Sequence, residues 1–210
     1  MAKRYLPFFP LKLVAFPGEQ LNLHVFEPRY KQLINECVDE GKTFGIPVFE
    51  KGMKEFGGEM EVTEVVKTYA TGEMDISTRC IGTIQIFSFD EKAPGKLYAG
   101  GNVESIENFQ DATIDQWMEL KHLAKQLISI LKMDDKLDIE LLSSSFELAH
   151  KLGLSLEQEY DMLQMTRESQ RQAYMINHLE RALPLIREME GAKNRIKMNG
   201  HFQHHDPLNF

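Results

Sequence analysis

Gly41-Lys42-Thr43 has the ending of a phosphate-binding loop, in which a lysine and a hydroxyl would hold nucleotide phosphates. That loop also requires a glycine at position 36, where Glu36 stands. It joins a strand to a helix, whereas here the preceding residues have helical spacing, so no nucleotide site is expected. His201, His204 and His205 beside Asp206 could offer imidazole and carboxylate ligands to a divalent metal. They lie in a polar terminal stretch that would lose chain entropy on ordering, and no metal or other cofactor is expected. Ser143-Ser144-Ser145 falls within a helical pattern, with no Gly-X-Ser-X-Gly or His-Glu-X-X-His around it. Cys37 sits on the apolar face of a helix and Cys80 ends a strand, so both read as small buried hydrophobes rather than nucleophiles. No catalytic constellation remains, and the chain is expected not to be an enzyme.

Two kinds of element must position whatever does act. From Leu6 to about Ile106 the chain alternates short β-like runs with Gly and Pro: Leu6 to Val14, Leu21 to Phe26, Phe44 to Phe49, Glu59 to Ala70, Glu73 to Cys80, Thr83 to Phe89 and Leu97 to Ile106. One helix interrupts them, from Pro28 to Glu40, with Gly41 suited to its C-terminal stop. Thr71-Gly72 suggests a turn between antiparallel partners. No Gly or Pro occurs between Ala112 and Lys151. Thr113 can cap a helix through Leu131, a second is predicted from about Leu137 to Lys151, and Ser155 with Gln158 forms a capping box for a third reaching about Met165. A long fourth helix should begin near Glu168, with a stripe through Ile176, Leu179, Leu183, Ile186, Met189 and Ile196, and with Pro184 inside it. The expected division is a β-rich domain over residues 1–110, a helical domain over 111–198 and a tail over 199–210.

Composition narrows the function classes. Of 210 residues 42% are apolar and 10% aromatic, ample for a packed core. The 24 basic and 32 acidic side chains give a net charge of -8. Residues 1–110 and 111–210 each carry half of both, so neither half has the basic excess that favours nucleic acid. Two cysteines make no disulfide framework, and no secretory leader, N-glycosylation sequon or bilayer-length apolar run is present. A cytoplasmic setting without a membrane partner is expected.

The stretch Leu6-Pro-Phe-Phe-Pro-Leu-Lys-Leu-Val-Ala-Phe-Pro-Gly-Glu, then Phe26-Glu27-Pro28-Arg29-Tyr30, then Phe44-Gly45-Ile46, resembles the opening signature of the Lon N-terminal domain family. The resemblance continues through Asp75-Ile-Ser and the Gly82 to Phe87 strand, and into Ala149-His-Lys-Leu-Gly-Leu-Ser-Leu-Glu-Gln, covering about residues 5–198. It implies an α+β fold, a PUA-like twisted antiparallel sheet or pseudo-barrel with one inserted helix, followed by a helical bundle ending in a long helix. It also implies a free-standing relative of the substrate-binding domain, without the ATPase and serine–lysine peptidase domains of Lon.

Most signature residues have structural reasons. Pro17-Gly18, after Phe16, suits a type II turn; Phe26 would close a strand, Pro28 would start the helix, and Glu27 would sit near its exposed N–H groups. Tyr30 falls on the apolar face of that helix, and Gly45 belongs to the strand motif. Arg29 has two readings, an ion pair with Glu27 or a guanidinium facing a partner. The candidate binding residues are Arg29, Trp117, Met162, Met165 and Met175, with Phe109 as a further surface aromatic. An unfolded polypeptide or protein partner is expected, held by strand addition or by apolar side chains, with an ATP-dependent protease as a further partner and self-pairing of the long helix as another reading. A PUA-like nucleic-acid module is the alternative, and a peptidase or hydrolase the more distant one.

Overall fold

The computed structural model describes residues 3–133 and 138–201. The chain divides into two compact units, Met1–Asp111 with Ser143–Glu168, and Ala112–Leu142 with Ser169–Phe210.

The first unit contains six strands, β1 (Arg4–Phe8), β2 (Gln20–Val25), β3 (Phe44–Phe49), β4 (Met53–Thr68), β5 (Met74–Ile86) and β6 (Ala99–Ile106), with helix α1 (Pro28–Glu40) between β2 and β3. Pairing in the order β5-β4-β3-β1-β6, with β6 returning to β5, closes a five-stranded barrel, and β2 adds to β5 outside the ring. The expected antiparallel pattern holds everywhere except at β1 and β3, which run parallel through Phe8 opposite Gly45 and on to Leu11 opposite Val48. Parallel neighbours need a long crossover, and the β2–α1 segment between them provides it. The break expected between two strands near Ile81 is a bulge in one continuous β5: Glu59 faces Gly82 and Met60 faces Cys80, leaving Ile81 unpaired between them.

Local chemistry explains the ends of α1. Pro28 occupies its first turn, where a missing N–H costs nothing, and Gly41 closes it in the left-handed conformation at φ 62°. Tyr30, Leu33, Ile34 and Cys37 form its buried face, spaced three, one and three residues apart as a helix on a sheet requires. They join Phe9, Phe44, Ile46, Met60 and Ile76 in the larger core, while Leu6, Phe8, Ile84, Ile86 and Val103 form a second cluster. Each such side chain, fully buried, contributes roughly 1.5–3 kcal/mol. Gly45 suits the packing, because a Cβ there would stand 2.9 Å from both Ile84 Cδ1 and Phe8 Cδ1 and would force one of these side chains to shift.

The helix predicted over Leu137–Lys151 is replaced by two short 3₁₀ helices, Ile139–Leu141 and Ser145–Lys151. The three serines are the reason, and they do not lie mid-helix. The Glu147 carboxylate accepts the backbone N–H groups of Ser143 and Ser144, while Ser144 caps the second 3₁₀ helix. Ser145 gives its N–H and hydroxyl, each at 2.9 Å, to Glu168. Side chains that capture local backbone in this way stop an α-helix. Helix α3 (Leu156–Gln164) follows, with the predicted Ser155/Gln158 capping box.

In the second unit α2 (Ile114–Ile130) is capped by Thr113, whose hydroxyl accepts the Gln116 N–H at 3.2 Å. Helix α4 spans Glu168–His201 with Pro184 inside it. Of its expected apolar stripe, Ile176, Leu179 and Leu183 are buried, but Met189 and Ile196 are exposed. No described helix is long and apolar enough to cross a membrane.

Candidate functional site

The Phe16-Pro17-Gly18-Glu19 signature forms the expected turn, with Gly18 at φ 88° and the Glu19 N–H donating to the Phe16 carbonyl at 3.0 Å. Gly18 N–H also reaches the Cys80 carbonyl at 2.8 Å, which ties the turn to β5. Phe16 is buried against Phe146, with ring centroids 5.3 Å apart. His150 is held between two carboxylates, Nδ1 2.7 Å from Glu159 and Nε2 3.2 Å from Glu19. These residues build the scaffold and leave little for a ligand to touch.

Phe26-Glu27-Pro28-Arg29-Tyr30 is different, because part of it faces a cleft of about 510 Å³ in the first unit. The cleft gathers ends and connections of distant elements: Pro10 after β1, Arg29 and Tyr30 from α1, Phe49 ending β3, Met53 opening β4, Phe89 after β5, and Leu97 with Ala99 at β6. Phe49, Phe89 and Leu97 are 49%, 41% and 55% exposed, a concentration of large apolar surface in one concavity. Glu91 and Lys92 place charges on its wall. A volume within roughly 300–1,000 Å³, an apolar lining and a few polar groups are the attributes of a binding pocket.

The cleft is braced from behind. Tyr30 stacks on buried Phe9 at 3.8 Å between centroids, and Phe89 stacks parallel to buried Phe8 at 6.4 Å. Arg29 makes the ion pair of the first sequence reading, with its guanidinium 2.8 Å from Glu27 and 4.5 Å over the Tyr30 ring, and it lines the cleft. Glu27 stands at the N-cap of α1, as its position suggested, and uses its side chain for this pair rather than for a hydrogen bond to the helix. Burial raises the Tyr30 phenol above its ordinary value. The loop carrying Leu97 is tied to α1, because the Leu97 N–H donates to Gln32 Oε1 at 2.9 Å and Lys96 pairs with Glu36 at 2.7 Å. Lys96 first, and Tyr98 next, hold the Glu36 carboxyl below the usual range. Walls fixed before binding lose less entropy when a ligand arrives.

The other candidate binding residues do not join this cleft. Met162 and Met175 are fully buried, and Met165 is half-buried. Half-buried Trp117 has Lys121 Nζ 5.2 Å from its ring centre in the second unit. Phe26 is exposed and stacks on His24 at 6.0 Å. Sequence reasoning missed Pro10, Phe49, Phe89 and Leu97, whose only signal was large apolar residues beside turns. Cys37 and Cys80 are buried as expected, and burial pushes both thiols up to about 12, away from nucleophilic use. Lys42 of the phosphate-loop look-alike pairs with Glu40, and Thr43 donates to Glu59 at 2.7 Å, so both side chains are engaged by carboxylates. The His201 to Asp206 cluster lies outside the described residues, apart from the backbone of His201 at the end of α4. Among the described residues no group of three or more His, Cys, Asp or Glu could hold a metal ion.

Residues 5–184 match the family described as the ATP-dependent protease La (LON) substrate-binding domain, and no ATPase or peptidase domain is found. Among solved structures, the fold is shared with a Lon N-terminal domain protein from Xanthomonas campestris, at a TM-score of 0.65 and 22% identity over 83% of this chain and 98% of that one. The N-terminal domain of a Mycobacterium avium complex Lon protease is similar at 0.62 and 16% identity, over 84% and 98% of the two chains.

Proposed function

The chain belongs to the LON substrate-binding domain family, and from that premise we propose that it is a non-catalytic recognition module that takes apolar side chains of unfolded polypeptide into the Arg29–Phe49–Phe89–Leu97 cleft. The observation that carries this reading is three exposed large apolar residues converging on a braced concavity with a guanidinium on its wall. An extended peptide would place one or two apolar side chains among Phe49, Phe89 and Leu97, while Arg29 meets a backbone carbonyl or a carboxylate. Binding alone makes the module useful as an adaptor, delivering unfolded clients to an ATP-dependent protease.

A dye-labelled, permanently unfolded protein such as reduced, carboxymethylated α-lactalbumin tests the site by fluorescence anisotropy. The Phe49→Ser/Leu97→Ser variant should bind at least about ten-fold more weakly, since truncating central anchors typically costs over 1 kcal/mol each. Val66→Ser, at an exposed valine outside the cleft lining, should bind like the parent. Equal affinity for all three proteins would overturn the assignment. The adaptor role is tested by the rate at which an ATP-dependent protease degrades the same client with and without this chain, and no acceleration would remove it. Nucleic-acid binding is disfavoured by the net charge of -8 and by the pairing of Arg4, Arg29, Arg79 and Arg167 with carboxylates.

A further inference from the structure

The sheet of the first unit leaves two edges open, and only one of them is guarded. Beyond Met60, β4 pairs with β5 alone, and this stretch carries Glu61, Glu64 and Lys67 and two bulged residues, Thr63 and Val66. Charges and bulges are devices that keep an open edge from pairing with another chain. Strand β2, on the far side of β5, has none of them. Gln20–Val25 contains no Lys, Arg, Asp, Glu or Pro, and its register is unbroken from Gln20 opposite Arg79 to Val25 opposite Met74. The phase of its backbone follows from the residue before it. Cys80 N–H donates to the Glu19 carbonyl at 2.8 Å, and antiparallel neighbours alternate between exchanging both hydrogen bonds and none, so Leu21, Leu23 and Val25 bond to β5. The N–H and C=O groups of Gln20, Asn22 and His24 therefore point outward, and all three residues are exposed.

We infer that β2 pairs antiparallel with β2 of a second copy of the chain, with Asn22 on the two-fold axis, joining the two sheets edge to edge. The strand matches itself. About that axis Gln20, Asn22 and His24 face His24, Asn22 and Gln20 of the other copy, and each of these pairs exchanges both its N–H···O=C bonds in the phase the open edge already has. The apolar positions fall between them. Leu21 meets Leu23 of the other copy, twice by symmetry, at the positions where side chains stand closest, and both leucines are half-buried against the larger core. Polar residues meet polar ones, apolar meet apolar, and no Lys, Arg, Asp or Glu is set against its like. Phe26, 58% exposed, comes opposite Gly18 of the other copy, beside which there is open space. One strand pair covers less than a standard interface, so the dissociation constant is on the order of 100 µM. None of these residues lines the Arg29–Phe49–Phe89–Leu97 cleft, and the pairing does not depend on it.

Sedimentation equilibrium of the full chain from about 10 to 500 µM tests it. The parent should pass from monomer towards dimer across that range, while Asn22→Lys and Asn22→Asp, which set like charges on the axis, should each raise the dissociation constant at least about ten-fold. Asn22 is exposed, so circular dichroism and dilute-solution melting of both variants should match the parent. An equal mixture of the two variants places opposite charges on the axis and should associate again. Amide hydrogen exchange followed by NMR reads the phase: between about 50 and 500 µM, exchange at Gln20, Asn22 and His24 should slow about two-fold by mass action, while Leu21 and Leu23, already bonded to β5, should not change. A parent that stays monomeric at 500 µM overturns the inference, as does association unmoved by Asn22→Lys, or a mixture no more associated than its components. Slowing at Gln20, Asn22 and His24 only when reduced, carboxymethylated α-lactalbumin is added would reassign the edge to client strands and equally overturn it.

Discussion

Substituting His150 by glutamine should remove a pH-dependent part of the stability of the first unit. The imidazole lies between Glu19, at the signature turn, and Glu159, on α3, and its ring centre is 5.0 Å from that of Phe16. The hydrogen bond to Glu19 is the largest influence, with burial opposing it and Glu159 adding to it, and the imidazole is held up at about 9 from its ordinary 6.5. Because the folded value is the raised one, the charged clamp contributes fully below about pH 6.5 and is lost as pH climbs through about 9. Two and a half pH units correspond to about 3.4 kcal/mol at most. The side chain is 38% exposed, and solvent screening reduces the expected contribution to about 1–2 kcal/mol. Urea unfolding of parent and His150→Gln at pH 6 and pH 9.5 measures it directly. The parent should lose about 1–2 kcal/mol more than the variant between the two pH values, because every other ionisable group is common to both. Parallel pH profiles would refute the argument that the protonated imidazole clamps the turn.

Two further predictions concern the barrel. Glu59 is buried and accepts Arg4 Nη1 at 2.8 Å, Arg4 Nη2 at 2.5 Å and the Thr43 hydroxyl at 2.7 Å, so Glu59→Ala should cost about 1–3 kcal/mol in denaturant unfolding by leaving Thr43 without this acceptor and half-exposed Arg4 with Ser105 Oγ alone at 2.8 Å. A loss under 1 kcal/mol would show that water replaces the carboxylate. Gly45→Ala should destabilise by about 1–3 kcal/mol, because its methyl would stand 2.9 Å from two core side chains, and a variant melting with the parent would show that Ile84 and Phe8 yield freely.

Features set by neighbouring residues were legible in the sequence. Pro28 and Gly41 marked both ends of α1, Pro17-Gly18 marked its turn, and Ser155 with Gln158 marked the start of α3, because each acts on backbone groups within four residues. The parallel pairing of β1 with β3 was not legible, since a strand's hydrophobic pattern does not reveal its neighbour's direction. Ser143 to Glu147 had helical spacing, and its diversion into a 3₁₀ turn involves Glu168, far along the chain. The same distance hid the grouping of Ser143–Glu168 with the strands. Arg29 was singled out because a charge beside a helix start stands out, but Phe49, Phe89 and Leu97 form a site only once the barrel brings their loops together. Met162 and Met175, chosen for their chemistry, are core.

The position of β1 between β3 and β6 has a consequence for how the protein is made. Arg4 pairs with Val103, so the barrel of a nascent chain cannot close until almost a hundred residues after its first strand have left the ribosome. At about 5–20 residues per second this leaves several seconds or more with β1 missing one partner, and the returning segment Ser143–Glu168 comes later still. Such a high contact order predicts refolding in the millisecond-to-second range rather than microseconds. During synthesis the open edge of β1 is available to other chains, so stop codons placed between β3 and β6 should yield aggregates rather than a smaller folded domain.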